Sequence, residues 1–116
     1  MTDMVNFHEH KLWQECFVAL MDIHEALDET DASDHDAEVV RELLEAAQKV
    51  AAVVADSLTR KDRRVAQELM YDAVGLVAVT RTHLAVAWGR ALLDDNTFKK
   101  LDASYDSIST SLQQYK

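Results

Sequence analysis

The sequence predicts an all-α protein, a single domain built as an antiparallel up-down four-helix bundle, and three observations point there. Proline is absent and glycine occurs only at positions 75 and 89, so the residues that punctuate turns and hairpins are nearly missing. Apolar residues recur at spacings of three and four through four separate segments, at about 7–28, 36–57, 61–91 and 95–115. Short polar links join these segments, and 116 residues with 48% apolar content suit one domain around one core.

The first helix is carried by Trp13, Phe17, Leu20, His24 and Leu27, with Cys16 and Ile23 on the flank of the same stripe. It gives way to DETDASDHD, where Asp, Ser and Thr side chains compete for the backbone and favour a loop. Ser33 or Asp34 is the expected N-cap of the second helix, whose stripe is Val40, Leu43, Ala47, Val50 and Val54. The fourth helix is expected to start near Asp94 or Asp95, with Asn96 or Thr97 as another start. Its seam is Phe98, Leu101, Tyr105, Ile108, Leu112 and Tyr115, with Lys, Asp, Ser and Gln between.

The third helix is less simple. The run VGLVAV at 74–79 is rich in β-branched residues, but no turn signal flanks it, and Val65, Leu69, Ala73, Leu76 and Leu84 keep helical spacing around it. Its middle is apolar nearly all round, and Met70, Val74, Gly75, Val77, Val79 and Trp88 fall off that main stripe. A bundle helix with two apolar faces calls for a second partner, so these six are the candidate oligomer contacts. Gly75 costs about 1 kcal/mol relative to Ala in mid-helix, a cost that close approach of another helix would offset.

Charge is unevenly placed. The net charge is −9, yet residues 1–59 carry 3 basic and 14 acidic side chains while residues 60–116 carry 9 basic and 7 acidic ones. Four cations, Arg60, Lys61, Arg63 and Arg64, crowd into SLTRKDRR at 57–64, between the second and third helices. Asp62 or Thr59 is the expected N-cap of helix three, with Thr59 and Asp62 forming a capping box. Arg63 and Arg64 then sit in a first turn whose dipole disfavours them. The corner reads either as a solvated junction paired with Asp56, Asp62 and Glu68, or as a contact for a polyanion.

Chemistry leaves little trace. A di-iron bundle needs Glu three residues before a histidine, but those positions hold Val5, Phe7, Met21, Ala32 and Thr80. The stretch HEALD at 24–28 has Asp28 where a zinc helix would place its second histidine, and His8 and His10 point to different faces. His83 reads as a hydrogen-bonded histidine on the buried side of helix three. Cys16, the sole cysteine, is expected to be reduced and structural. No catalytic residue, metal or cofactor is expected, and the tyrosines make no base-stacking platform. No apolar run approaches a membrane span and the first residues show no leader pattern, so a cytoplasmic protein is expected.

Several short features recur together. VADS at 54–57 closes helix two, Arg60 follows, Asp62 stands at the cap, and Ala73, Gly75 and Val77 lie in mid-helix three, while Phe7, Leu12 and Trp13 give an aromatic opening. In these the chain resembles the four-helix-bundle proteins encoded in 23S rRNA intervening sequences, and their relatives, the accessory variability determinants of diversity-generating retroelements. There an Asn-Ile-Ala-Glu-Gly stretch, an Arg, a capping Ser and an Ala-x-Gly-Ser-Leu element hold the corresponding places. The resemblance implies a ring-like homopentamer, and for the retroelement relatives a basic surface that binds nucleic acid and a reverse transcriptase. Here KVAAV at 49–53 replaces the family's Ser-Ile-Pro-Ser, and five copies would multiply an acidic net charge fivefold, which repels a polyanion except at locally positive rings.

The expected function is therefore that of a non-enzymatic, homo-oligomeric binding or scaffold protein, with a pentamer as the implied assembly and a basic protein as a further partner for the acidic first half. The alternative is a nucleic-acid-binding accessory protein acting through Arg60, Lys61, Arg63 and Arg64.

Overall fold

Four side-chain caps define where the helices begin. In the computed structural model, which describes residues 6–30 and 33–115, α1 spans Lys11–Asp28, α2 Asp34–Thr59, α3 Arg63–Gly89 and α4 Asp95–Gln114. His10 Nδ1 accepts from Leu12 N at 3.1 Å, and Ser33 Oγ accepts from Asp36 N at 3.4 Å. Asp62 Oδ1 accepts from Arg64 N at 2.9 Å, and Asp94 Oδ1 from Thr97 N at 2.7 Å. Each cap satisfies an amide that has no carbonyl partner in the first turn.

The expected boundaries shift at three places. Residues Phe7–Glu9 form a separate 3₁₀ turn, because Asn6 caps them and His10 is extended, so α1 starts four residues later than the sequence pattern suggests. Helix α2 is longer than expected, reaching Thr59. Thr59 does not join a capping box, since its hydroxyl donates to Asp56 O at 2.9 Å within its own helix. Helix α3 stops at Gly89 in a Schellman motif: Leu92 N donates to Ala87 O and Ala91 N to Trp88 O, both at 2.9 Å. Ala91 takes the left-handed position at φ 62°. Asp31 and Ala32, in the middle of the polar link, and Met1–Val5 lie outside the described residues.

Each helix packs on its neighbour in the chain, and α4 closes the ring on α1, while the diagonal pairs stay apart. This is the arrangement of an up-down bundle. The α2–α3 pairing is the most extensive, and the body measures 50 × 25 × 21 Å. The VGLVAV run is helical.

The core is continuous, and it corrects two stripes. On α2, Leu43, Ala47, Val50 and Val54 are fully buried as expected, and on α4 Leu101, Tyr105, Ile108 and Leu112 are buried. On α1 the core face is Leu12, Cys16, Ala19, Leu20, Ile23 and Leu27; Trp13 lies at the edge and Phe17 is exposed. Trp13 stacks on Phe17 with ring centres 5.1 Å apart, and Phe7 and His8 meet the Trp13 ring edge-on. The rings thus build a ladder beside the core instead of filling it.

On α3 the buried face is Met70, Ala73, Val77, Thr80, Leu84 and Ala87, a heptad-like run in which small residues alternate with large ones. Val65, Leu69 and Leu76, which the sequence pattern places on the main stripe, are only partly buried. Thr80 is tolerated at full burial because its hydroxyl donates to Leu76 O at 2.9 Å. His83 is half-buried, not in the core, with Nδ1 4.0 Å from Glu42 Oε2 on α2.

Candidate functional site

The α2–α3 corner is built by one buried hydroxyl and one carboxylate. Ser57 is buried and donates to Ala66 O at 2.7 Å, tying the last turn of α2 to the first of α3. Asp62 caps the incoming helix. Arg60, the C-cap of α2, reaches back to Asp56 with two bonds, Nε to Oδ1 at 2.7 Å and Nη2 to Oδ2 at 3.3 Å. That pairing holds the Asp56 carboxyl below its usual range and the Arg60 guanidinium above its own. Arg64 Nε stands 3.6 Å from Glu68 Oε1 with both side chains exposed. Lys61 and Arg63 are exposed and have no ion-pair partner among the described residues.

The four cations of SLTRKDRR thus divide. Two are neutralised locally, in the manner of a solvated junction, and two are open. Helices α2 and α3, with 26 and 27 residues, are longer than α1 and α4, with 18 and 20. At 1.5 Å per residue the excess is roughly 10 Å. At the opposite end Thr30 Oγ1 donates to Leu92 O at 3.1 Å, and Arg90 Nε to Asp36 Oδ1 at 2.9 Å, so the helices finish together there. The excess therefore lies at the basic corner, where the Phe7–Glu9 turn packs against α2 and covers part of it.

The second candidate surface is the outer face of α3. Tyr71 is 65% exposed, Val79 45% and Val86 43%. Gly75, Ala78, Thr82 and Ala85 are exposed beside them. From Leu69 to Gly89 the only Asp, Glu, Lys or Arg side chains are Asp72 and Arg81. Arg81 turns aside to α4, bonding Asp102 at 2.8 and 3.0 Å and Asp106 at 3.2 Å. A Cβ added at Gly75 would meet nothing within 4 Å, so packing inside the chain does not explain this glycine.

Of the six expected oligomer contacts, Met70 and Val77 are corrected: both lie in the bundle's own core and offer no surface to a partner. Val74 is half-buried, while Gly75 and Val79 face outward. Trp88 is exposed yet engaged, stacking on Phe98 at 4.6 Å with its Nε1 donating to Asp95 Oδ1 at 2.8 Å. The sequence pattern passed over Tyr71 and Val86. Both follow Gly75 and Val79 on one helical face, a signal hidden by the choice of the wrong main stripe.

Other groups have local roles. His10 caps α1, and His8 Nδ1 lies 3.1 Å from Asn6 Oδ1. Among the described residues no three His, Cys, Asp or Glu side chains converge on a common point, and no helix is long and apolar enough to cross a membrane. Cys16 is buried, which pushes its thiol up to about 12. An open groove of about 670 Å³ runs between α1 and α4, with Val18, Ala19, Ile108, Lys11, Asp22 and Lys100 among its lining residues.

A scan against models of known protein families finds no match to the chain, and a search of curated proteins finds none.

Proposed function

We propose that this protein is a non-catalytic bundle that associates with copies of itself and serves as a binding or scaffold module. The observation that carries this reading is the outer face of α3, an apolar surface with an unfilled glycine in it and only Asp72 and Arg81 as charges from Leu69 to Gly89. Contiguous exposed apolar surface of this kind marks an association site in a protein that otherwise carries 28% charged residues. The likeness to intervening-sequence bundle proteins would make the assembly a ring of five. The surface asks for partner copies without setting their number. Light scattering and sedimentation at micromolar concentration test the reading: an oligomer is expected, and a stable monomer would overturn it.

A second reading concerns the basic corner. Lys61 and Arg63 are open at the α2–α3 corner, so it is the place where nucleic acid would dock. Against this, Arg60 is already held by Asp56 and the net charge is −9. If RNA or DNA binds, affinity should fall steeply with salt and drop when Lys61 and Arg63 become Ala. Absence of retention at about 50 mM salt, where phosphate contacts are strong, removes this reading. A basic protein docking on the acidic residues of α1 and α2 is the corresponding reading for the other half of the chain.

A further inference from the structure

The charges that border the outer face of α3 are arranged by edge as well as by end. Arg64, Glu68, Tyr71, Gly75, Val79, Thr82 and Val86 follow one another at spacings of four and three along one side of the helix. The α4 edge of this side is marked by Arg81 and Trp88, which bond Asp102 and stack on Phe98. Arg63 lies eighteen residues before Arg81, five helical turns, and so belongs to the same edge. The α2 edge is marked by His83, which approaches Glu42, and Asp72 lies three turns before it. Arg90 also turns to this edge, reaching Asp36 on α2.

At the N-terminal end of the face Arg63 lies toward the α4 edge and Asp72 toward the α2 edge, with the Arg64–Glu68 ion pair between them. At the C-terminal end the signs are reversed. Asp95 lies on the α4 edge, held against Trp88, and Arg90 lies on the α2 edge. At larger scale the bundle has a basic pole at the Arg60–Arg64 corner and an acidic pole where Asp28, Glu29, Asp36, Asp94 and Asp95 gather around the other links.

We infer that a second copy of the chain docks on this face antiparallel, across a two-fold axis perpendicular to α3 near Ala78 and Val79. This rests on the self-association reading and adds its geometry. In that register Tyr71 meets the second copy's Val86, and Gly75 meets the second copy's Thr82. Such an axis keeps α4 edge against α4 edge. The basic corner of each copy then lies toward the acidic pole of the other, and Glu68 opposes the second copy's Arg90, at both ends of an isologous contact. A parallel pair would instead bring two basic poles together and two acidic poles together, which costs affinity. Gly75 now has a reason to be Gly, because a side chain there would press on the second copy's Thr82, one turn from the axis, and hold the helices apart.

Disulfide trapping in a Cys16→Ala background, read with the assembly mass, tests this. Mixing Tyr71→Cys protein with Val86→Cys protein should give a cross-linked heterodimer on mild oxidation, while Tyr71→Cys alone should not cross-link to itself. Gly75→Ala should weaken association about tenfold or more while leaving the monomer fold intact. Glu68→Arg should also weaken it, and adding Arg90→Glu should restore it. Self-linked Tyr71→Cys, or a ring of five without the 71–86 link, overturns this geometry and leaves self-association standing. A chain that stays monomeric at micromolar concentration overturns both.

Discussion

Replacing Tyr105 with Phe should make the protein more stable. Tyr105 lies in the middle of α4 with no exposed surface, and its hydroxyl has no hydrogen-bond partner among the described residues. Burial raises its pKa above the ordinary phenol value, with the neighbouring Cys16 and Asp22 adding to the shift. In the unfolded chain that hydroxyl bonds to water, so leaving it unpaired in the core costs about 1–3 kcal/mol. Phe fills the same space without the oxygen, forfeiting only a few contacts of about 0.1–0.2 kcal/mol each. The net gain should be about 1 kcal/mol, which raises Tm by about 4 °C for a domain of this size. Tyr105→Ala, by contrast, empties the ring's space and should cost about 3–5 kcal/mol. Urea unfolding followed by far-ultraviolet circular dichroism at neutral pH, with calorimetry for Tm, measures both. A Phe variant less stable than the parent by about 0.5 kcal/mol or more, beyond the usual scatter of neutral substitutions, would show the hydroxyl to be satisfied and refute the reasoning.

Three other outcomes are expected. Cys16 is pushed up from 9.0 to about 12 by burial, so the fold holds a proton that the unfolded chain has lost. Stability should be undiminished by this group below pH 9 and fall as pH rises toward 12, by up to about 1.4 kcal/mol per pH unit. Urea midpoints across that window should decline less steeply in Cys16→Ala, and an equal decline would contradict the assignment. Ala91 sits at φ 62° at the end of α3; Ala91→Gly should add about 1 kcal/mol in thermal unfolding, since glycine adopts this conformation without the Cβ clash. Asp62→Ala removes the acceptor for Arg64 N and Val65 N and should cost about 1 kcal/mol, with Asp62→Asn losing much less when both are compared by chemical denaturation.

How far the sequence pattern could be read differs from helix to helix. Helix α2 reads cleanly because its apolar positions alternate with Glu, Arg and Gln, so only one face can be inside. Helix α4 is legible for the same reason, its Lys, Asp, Ser and Gln residues excluding every seam but one. On α1 the large rings of Trp13 and Phe17 suggest a core position, yet the core takes Cys16, Ala19 and Ile23, and the rings stack at the edge with Phe7 and His8. Ring size was a poor guide because close helix packing favours small and branched side chains between the axes. At the corner, the pairing of Arg60 with Asp56 follows from their four-residue spacing and is visible in the sequence. That Lys61 and Arg63 stay exposed without an ion-pair partner among the described residues depends on which elements pack at the corner, which no local pattern records.

Helical periodicity, the absence of proline and the polar links between apolar stripes are enough to set four helices in up-down order and to put the basic cluster at one junction. The free face of α3 was a different matter. A helix that is apolar nearly all round satisfies its own periodicity in more than one rotation about its axis. Only the fit of Met70, Ala73, Val77, Thr80, Leu84 and Ala87 against the facing helices selects the rotation. That choice turns Tyr71, Gly75, Val79 and Val86 outward. The surface on which the proposed function rests is thus a product of tertiary packing, because the buried face and the exposed one are made of the same kinds of residue.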